Sequence, residues 1–131
     1  MTHHKAQQLV KNLYQAVDSK NVDYLNDNLS QRIRFRIGNS PAANNKKTIL
    51  DANRQFFSSV HSMKHTIEEV VSQIVNKEGR AVDKIVCYGR VDYVRLDSTE
   101  HSAVFSTVLE VEDNLITDYL VFADLSGLFI E

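Results

Sequence analysis

From residue 65 to the end of the chain, four β-rich runs follow one another with only short turns between them and no proline. The runs cover residues 65–75, 81–96, 101–111 and 115–124, and Val, Ile and Tyr are dense along them. Strands joined by so few residues pair with their sequence neighbours as an antiparallel meander. The turns carry the residues such links need: Asn76 to Arg80 with Gly79, Asp97 to Glu100, and the tight Glu112-Asp113-Asn114. Apolar residues fall on both faces around Val70-Val71, so a bulge is expected in the first run.

The N-terminal half has another period. Leu9, Val10, Leu13, Tyr14, Ala16 and Val17 make an apolar stripe over a helix at about 3–18, broken by Asp18-Ser19-Lys20-Asn21. Asn21 then caps a short helix carrying Val22 and Leu25. Ile33, Phe35 and Ile37 alternate with Arg32, Arg34 and Arg36 in a half-buried strand ended by Gly38 to Pro41. The arginine row is read as solvated or at a subunit contact. Asn44 or Asn45 caps a third helix, with Ile49, Phe56, Phe57 and Val60 on its buried side, ending near residue 60. Helices gathered ahead of a run of strands predict an α+β fold: three N-terminal helices against one face of a mostly antiparallel, curved sheet that encloses a cone-shaped cavity.

One domain over residues 1–131 is the expectation from length. A net charge of −2 gives no electrostatic case for nucleic acid or an anionic membrane. No apolar run approaches the roughly 20 residues that span a bilayer, and the first residues lack the apolar core of a signal peptide. The lone Cys87 has no internal disulfide partner, which points to a reducing, cytoplasmic setting. His61 and His65 are four apart, but the third helix ends near residue 60 and no companion ligands cluster with them, so no metal and no cofactor is expected. Neither a phosphate-binding glycine loop nor a serine nucleophile elbow occurs.

Along the run 85–96 the residues Val86, Tyr88, Arg90, Asp92 and Val94 share one face and Cys87 the other. An arginine and an aspartate two apart among apolar residues either face water, pair structurally, or form a site.

Four stretches carry a resemblance across nearly the whole chain: V-K-N-L-Y-Q-A-V-D-S-K-N-V-D-Y-L, R-F-R-I-G-N-S-P, G-R-V-D-Y and D-N-L-I-T-D-Y-L-V-F-A-D-L. In their order and spacing they resemble the nuclear transport factor 2-like superfamily, in particular its SnoaL-like group. That resemblance implies a cone-shaped fold with a pocket between helices and sheet, and a homodimer through the outer sheet face. It implies a small apolar or polycyclic ligand, with Tyr14, Phe35, Ile37, Phe56, His65, Val86, Tyr88, Phe105, Thr107 and Phe122 as lining and Arg90, Asp92 and Asp124 as a polar cluster. The superfamily holds hydrolases, cyclases, isomerases and non-catalytic binders, so fold leaves the reaction unassigned.

Three chemistries compare with the residues. Limonene epoxide hydrolases carry an Arg-x-Asp on the long strand and a late Asp, matched by Arg90, Asp92 and Asp124 as organiser, acid and base. Their water-holding Tyr and Asn fall at Phe35 and Ile37, which cannot hold water. Ketosteroid isomerases are matched at Tyr14, but their base falls at Phe35 or Arg36 and their oxyanion aspartate near Thr107. SnoaL-like polyketide cyclases need one pocket aspartate, Asp92 or Asp124. A catalytic His65 paired with either aspartate is a further possibility. The leading expectation is a small-molecule-binding domain, with enzyme chemistry through Asp92 and Asp124 as the alternative.

Overall fold

The computed structural model describes residues 1–129. The tail expected over 125–131 is therefore described as far as Phe129, and its last two residues lie outside the described ones. The order is α1 (His3–Asp18), α2 (Val22–Asn28), β1 (Leu29–Ile37), α3 (Lys46–Ser59), β2 (Val60–Lys77), β3 (Arg80–Arg95), β4 (Glu100–Glu112) and β5 (Leu115–Ala123). The sheet runs β1-β5-β4-β3-β2. β1 is parallel to β5, and every other pair is antiparallel.

Local chemistry explains the breaks. Thr2, Asn21 and Asn45 cap the three helices, each accepting a backbone N–H three residues on. Glu78-Gly79 and Asp113-Asn114 both have positive φ at their two central residues, the twist that two-residue hairpins need. β2 starts at Val60 rather than near residue 65, because Val60 is already extended where α3 ends. The Lys20 ammonium donates to the carbonyls of Val60 (2.7 Å) and His61 (3.1 Å) at that junction.

The expected bulge falls earlier than Val70-Val71, between Ile67 and Glu69, opposite Gly89 and Tyr88. Gly89 explains the position. A Cβ there would lie 1.9 Å from the Thr66 carbonyl oxygen, so only glycine lets β2 fold down over β3. The extra residue also sets side-chain parity. Met63, His65 and Ile67 face the same way before the bulge, and Val70 resumes that face after it. The bent sheet closes around α1, whose Ala6, Val10, Leu13, Tyr14, Ala16 and Val17 are buried against it. Among the described residues no helix is long and apolar enough to cross a membrane.

The strand face expected to line the pocket is the outer one. Ile85, Cys87, Val91 and Tyr93 are buried on the inner face of β3, whereas Tyr88 and Arg90 are exposed and Val86, Asp92 and Val94 partly so. Both faces of this strand are rich in apolar residues, so alternation alone could not say which one meets the helices, and the two choices differ by one residue of register. Nor is the arginine row simply solvated. Arg34 makes a bidentate pair with the buried Asp118, both bonds at 2.7 Å.

Candidate functional site

The inner sheet face, α1 and α3 surround a narrow cavity of about 40 Å3. Its walls are largely aromatic: Tyr14, Phe35, Phe56, Tyr93, Phe105 and Tyr119. Five of its lining residues, Phe35, Ile37, Phe56, Ala123 and Leu125, also line a wide groove of about 740 Å3 at the mouth.

One polar assembly stands in this apolar setting. Tyr14 and Asp18 are four apart on α1, so both look toward the sheet. Tyr14 stacks on the His65 ring at 4.3 Å between centroids, and Phe105 meets that ring edge-on at 5.1 Å. Asp18 then takes both donors of His65: its Oδ2 accepts the backbone N–H at 2.9 Å and its Oδ1 accepts from Nδ1 at 2.6 Å. A carboxylate can only accept, so Nδ1 carries the ring proton. In the neutral ring Nε2 is then a proton acceptor, held in place by stacking on one side and a charged hydrogen bond on the other.

The surrounding groups are neutral. The Tyr14 hydroxyl is hydrogen-bonded to the buried Thr107, and burial pushes its phenol well above the ordinary tyrosine range. Burial does the same to Tyr119. The Tyr93 phenol is pushed up to about 12, first by burial and then by the Asp18 charge. These hydroxyls stay protonated at neutral pH and can donate. Asn53 gives its amide N–H to the Ile49 carbonyl at 2.8 Å, which fixes the amide so that Oδ1 is its available acceptor. The site therefore offers a base, phenol donors and an amide acceptor in a low-dielectric slot, the elements of proton transfer.

The expected residues divide cleanly by face. Tyr14, Phe35, Ile37, Phe56, His65 and Phe105 line the cavity, and Thr107 sits behind it on Tyr14. Val86, Tyr88 and Phe122 belong to the outer face and do not line it; Tyr88 instead donates to Glu69 at 2.8 Å. The proposed Arg90–Asp92–Asp124 cluster does not form. Arg90 and Asp92 pair with each other at 2.9 Å on the outer face, and Ser102 completes the group at 2.5 Å from Asp92. Those bonds, Ser102 before Arg90, lower the Asp92 carboxyl below its usual value. Asp124 is exposed at the mouth, lowered by the hydroxyl and N–H of Ser126. His65 pairs with Asp18, not with Asp92 or Asp124. His61 and His65 do not form a metal centre either: among the described residues no three His, Cys, Asp or Glu side chains cluster to hold one.

Asp18, Tyr93, Tyr119 and Asn53 were not singled out from sequence. Asp18 did leave a signal. It is an acid in the last turn of a helix, where the macrodipole disfavours it, and it lies one turn from Tyr14. A residue that breaks a local rule is held there by something else.

The sequence matches no protein-family profile and no curated protein. Solved structures do match along nearly its full length. A candidate SnoaL-like polyketide cyclase from Jannaschia sp. CCS1 is 15% identical over 95% of this chain and 89% of its own, with a TM-score of 0.74. An LEH-like epoxide hydrolase from M. tuberculosis is 13% identical over 96% and 83%, with a TM-score of 0.75. A candidate dehydratase of the NTF2-like family from Streptomyces avermitilis is 9% identical over 95% and 99%, with a TM-score of 0.74. The chain has the nuclear transport factor 2-like α+β fold.

Proposed function

We propose that this cone-fold domain binds a small, neutral, largely apolar molecule and moves a proton on it with His65, backed by Asp18. The observation that carries this reading is the 2.6 Å bond from His65 Nδ1 to Asp18, which holds the His65 ring in the wall of an aromatic cavity from the polar groove on its other side. Nε2 takes a proton from a C–H or O–H of the ligand, and the imidazolium that forms is stabilised by the Asp18 carboxylate. The charge left on the ligand is best placed on an oxygen, where the protonated Tyr93 can donate to it. The same imidazolium returns the proton, so isomerisation, dehydration and cyclisation are all within reach of one base and one donor. The epoxide-opening alternative through Asp92 and Asp124 is not favoured, since Asp92 stands on the outer face.

The test is proton exchange on a defined probe. 2-Tetralone, a neutral bicyclic ketone with acidic α-hydrogens, is incubated in D2O and followed by NMR. Deuterium uptake above the buffer rate, lost in His65→Gln, supports the reading. Equal uptake with both proteins, at a concentration where the ketone binds, rejects it.

The same reading assigns the outer sheet face to a second copy of the chain. Val71, Tyr88, Val104 and Phe122 are all exposed, Val104 by 79%, and a run of apolar side chains on a sheet face favours association. Light scattering should report a dimer that Val104→Arg converts to monomer; a wild-type monomer at high concentration rejects the assignment. The buried free thiol of Cys87 fits a reducing, cytoplasmic compartment.

A further inference from the structure

The cavity beside His65 is about 40 Å3, whereas ligand pockets are usually about 300–1,000 Å3. A ligand that reaches Nε2 must therefore displace part of the wall. We infer that the C-terminal segment, residues 125–129, is a gate over the cavity and that Arg95, at the end of β3, is the positioning residue that latches it. This rests on the cavity being the binding site.

The segment follows β5 and takes no part in the sheet ladder. Leu125 is shared between cavity wall and mouth, and Phe129 meets Phe56 edge-on at the mouth, 6.5 Å between centroids. One side chain among the described residues hydrogen-bonds the segment to the rest of the fold. Arg95 Nε donates to the Leu128 carbonyl at 2.8 Å and Nη2 to the Gly127 carbonyl at 2.9 Å. Its Nη1 donates to the Glu100 carbonyl at 2.8 Å, so the guanidinium bridges the segment to the start of β4. A planar fork makes these bonds together; a lysine ammonium cannot reproduce that geometry. Gly127 seats the segment on His101, where an added Cβ would lie 2.9 Å from the ring.

The other walls are harder to move. α1 places six buried residues in the core and α3 three, whereas the segment contributes only Leu128 as a fully buried side chain. Releasing the latch frees the mouth at the least loss of packing. A local opening of this kind leaves the sheet and the His65–Asp18 pair in place.

The test uses the full chain as wild type, Arg95→Ala, Arg95→Lys and Phe129→Ala. Amide hydrogen exchange reads the segment, and stopped-flow fluorescence reads entry of N-phenyl-1-naphthylamine, a neutral probe. In Arg95→Ala the hydrogen-bonded amides of the segment, those of Ser126 and Leu128, should exchange at least about tenfold faster as the two Arg95 bonds to the segment are lost, with sheet amides unchanged. Probe entry should quicken by a similar factor, and Arg95→Lys should fall between. Phe129→Ala, at an exposed residue that the fold does not need, should also quicken entry, and it stands in should Arg95→Ala fail to fold. Unchanged exchange in Arg95→Ala overturns the latch. A looser segment with unchanged entry, or with no probe entering either protein, overturns the gate, as does unchanged entry in Phe129→Ala. The probe undergoes no reaction, so the gate and the acid–base reading fail separately.

Discussion

Asp18→Asn exchanges a single heavy atom and should alter both the stability and the chemistry of the site. Asp18, whose side chain is only 22% exposed, accepts two hydrogen bonds from His65, from the backbone N–H at 2.9 Å and from Nδ1 at 2.6 Å. A hydrogen bond involving a charged group is worth about 1.5–3 kcal/mol. In the amide both bonds become neutral ones, each weaker by about 1–1.5 kcal/mol, a net loss of about 2–3 kcal/mol. Unfolding entropy of about 2.1 cal/mol/K per residue over 131 residues converts each kcal/mol into roughly 3.6 °C, so Tm should fall by about 7–11 °C. The second consequence is chemical. The backbone N–H is a fixed donor and claims the amide oxygen. The amide nitrogen then faces Nδ1, which must become the acceptor, and the ring proton moves to Nε2. The base becomes a donor. Long-range 15N–1H correlation spectra at about pH 8.5, where free imidazole is neutral, distinguish the two tautomers. A wild-type Nδ1–H form that turns into Nε2–H, with 2-tetralone exchange lost, is the expected result. An unchanged Tm with the Nδ1–H form retained would refute the account of how His65 is held.

Gly89→Ala drives a Cβ to within 1.9 Å of a backbone carbonyl and should cost about 3 kcal/mol, the upper end of overpacking, seen as a drop of about 10 °C in Tm; a drop below about 3 °C would mean that the bulge adapts freely. Burial raises Cys87 to about 11 and Tyr93 to about 12. Each then ionises in the unfolded chain first, so its contribution is complete below its unfolded value and is lost as pH rises through its folded value. Urea midpoints should fall steadily from pH 9 to 11, with Cys87 alone contributing at most about 3 kcal/mol; a flat profile would show that neither group is desolvated. Replacing both Arg90 and Asp92 with glutamine and asparagine should leave N-phenyl-1-naphthylamine affinity within about twofold, as expected for an exposed ion pair, and a larger loss would return the site to the outer face.

Most of the architecture was legible in local signals. The apolar stripe of α1, the asparagine caps and the Asp113-Asn114 hairpin are each decided within a few residues, and the structure has them where the pattern puts them. What could not be read locally was which face of β3 turns inward. That depends on the bulge between Ile67 and Glu69 and on its opposite number, Gly89, a pairing between residues far apart in the chain. The cost of that ambiguity was the site itself. Charges are conspicuous in an apolar strand, so Arg90 and Asp92 stand out, whereas nothing local distinguishes Tyr93, one residue on and inward-facing, from any other strand aromatic. His65 stands out in the sequence without its partner, because Asp18 reads as part of the break after the first helix. The face that α1 presents, with Tyr14 and Asp18 one turn apart, joins the two ends of that pair.

The central claim is that chemistry lies on the inner face at His65. A crystal structure of the chain with 2-tetralone bound tests it most directly. The account predicts the ketone between the aromatic walls, its α-carbon against His65 Nε2 and its oxygen facing the Tyr93 hydroxyl. Ketone seated on the outer face beside Arg90 and Asp92, with the cavity unchanged, would contradict it.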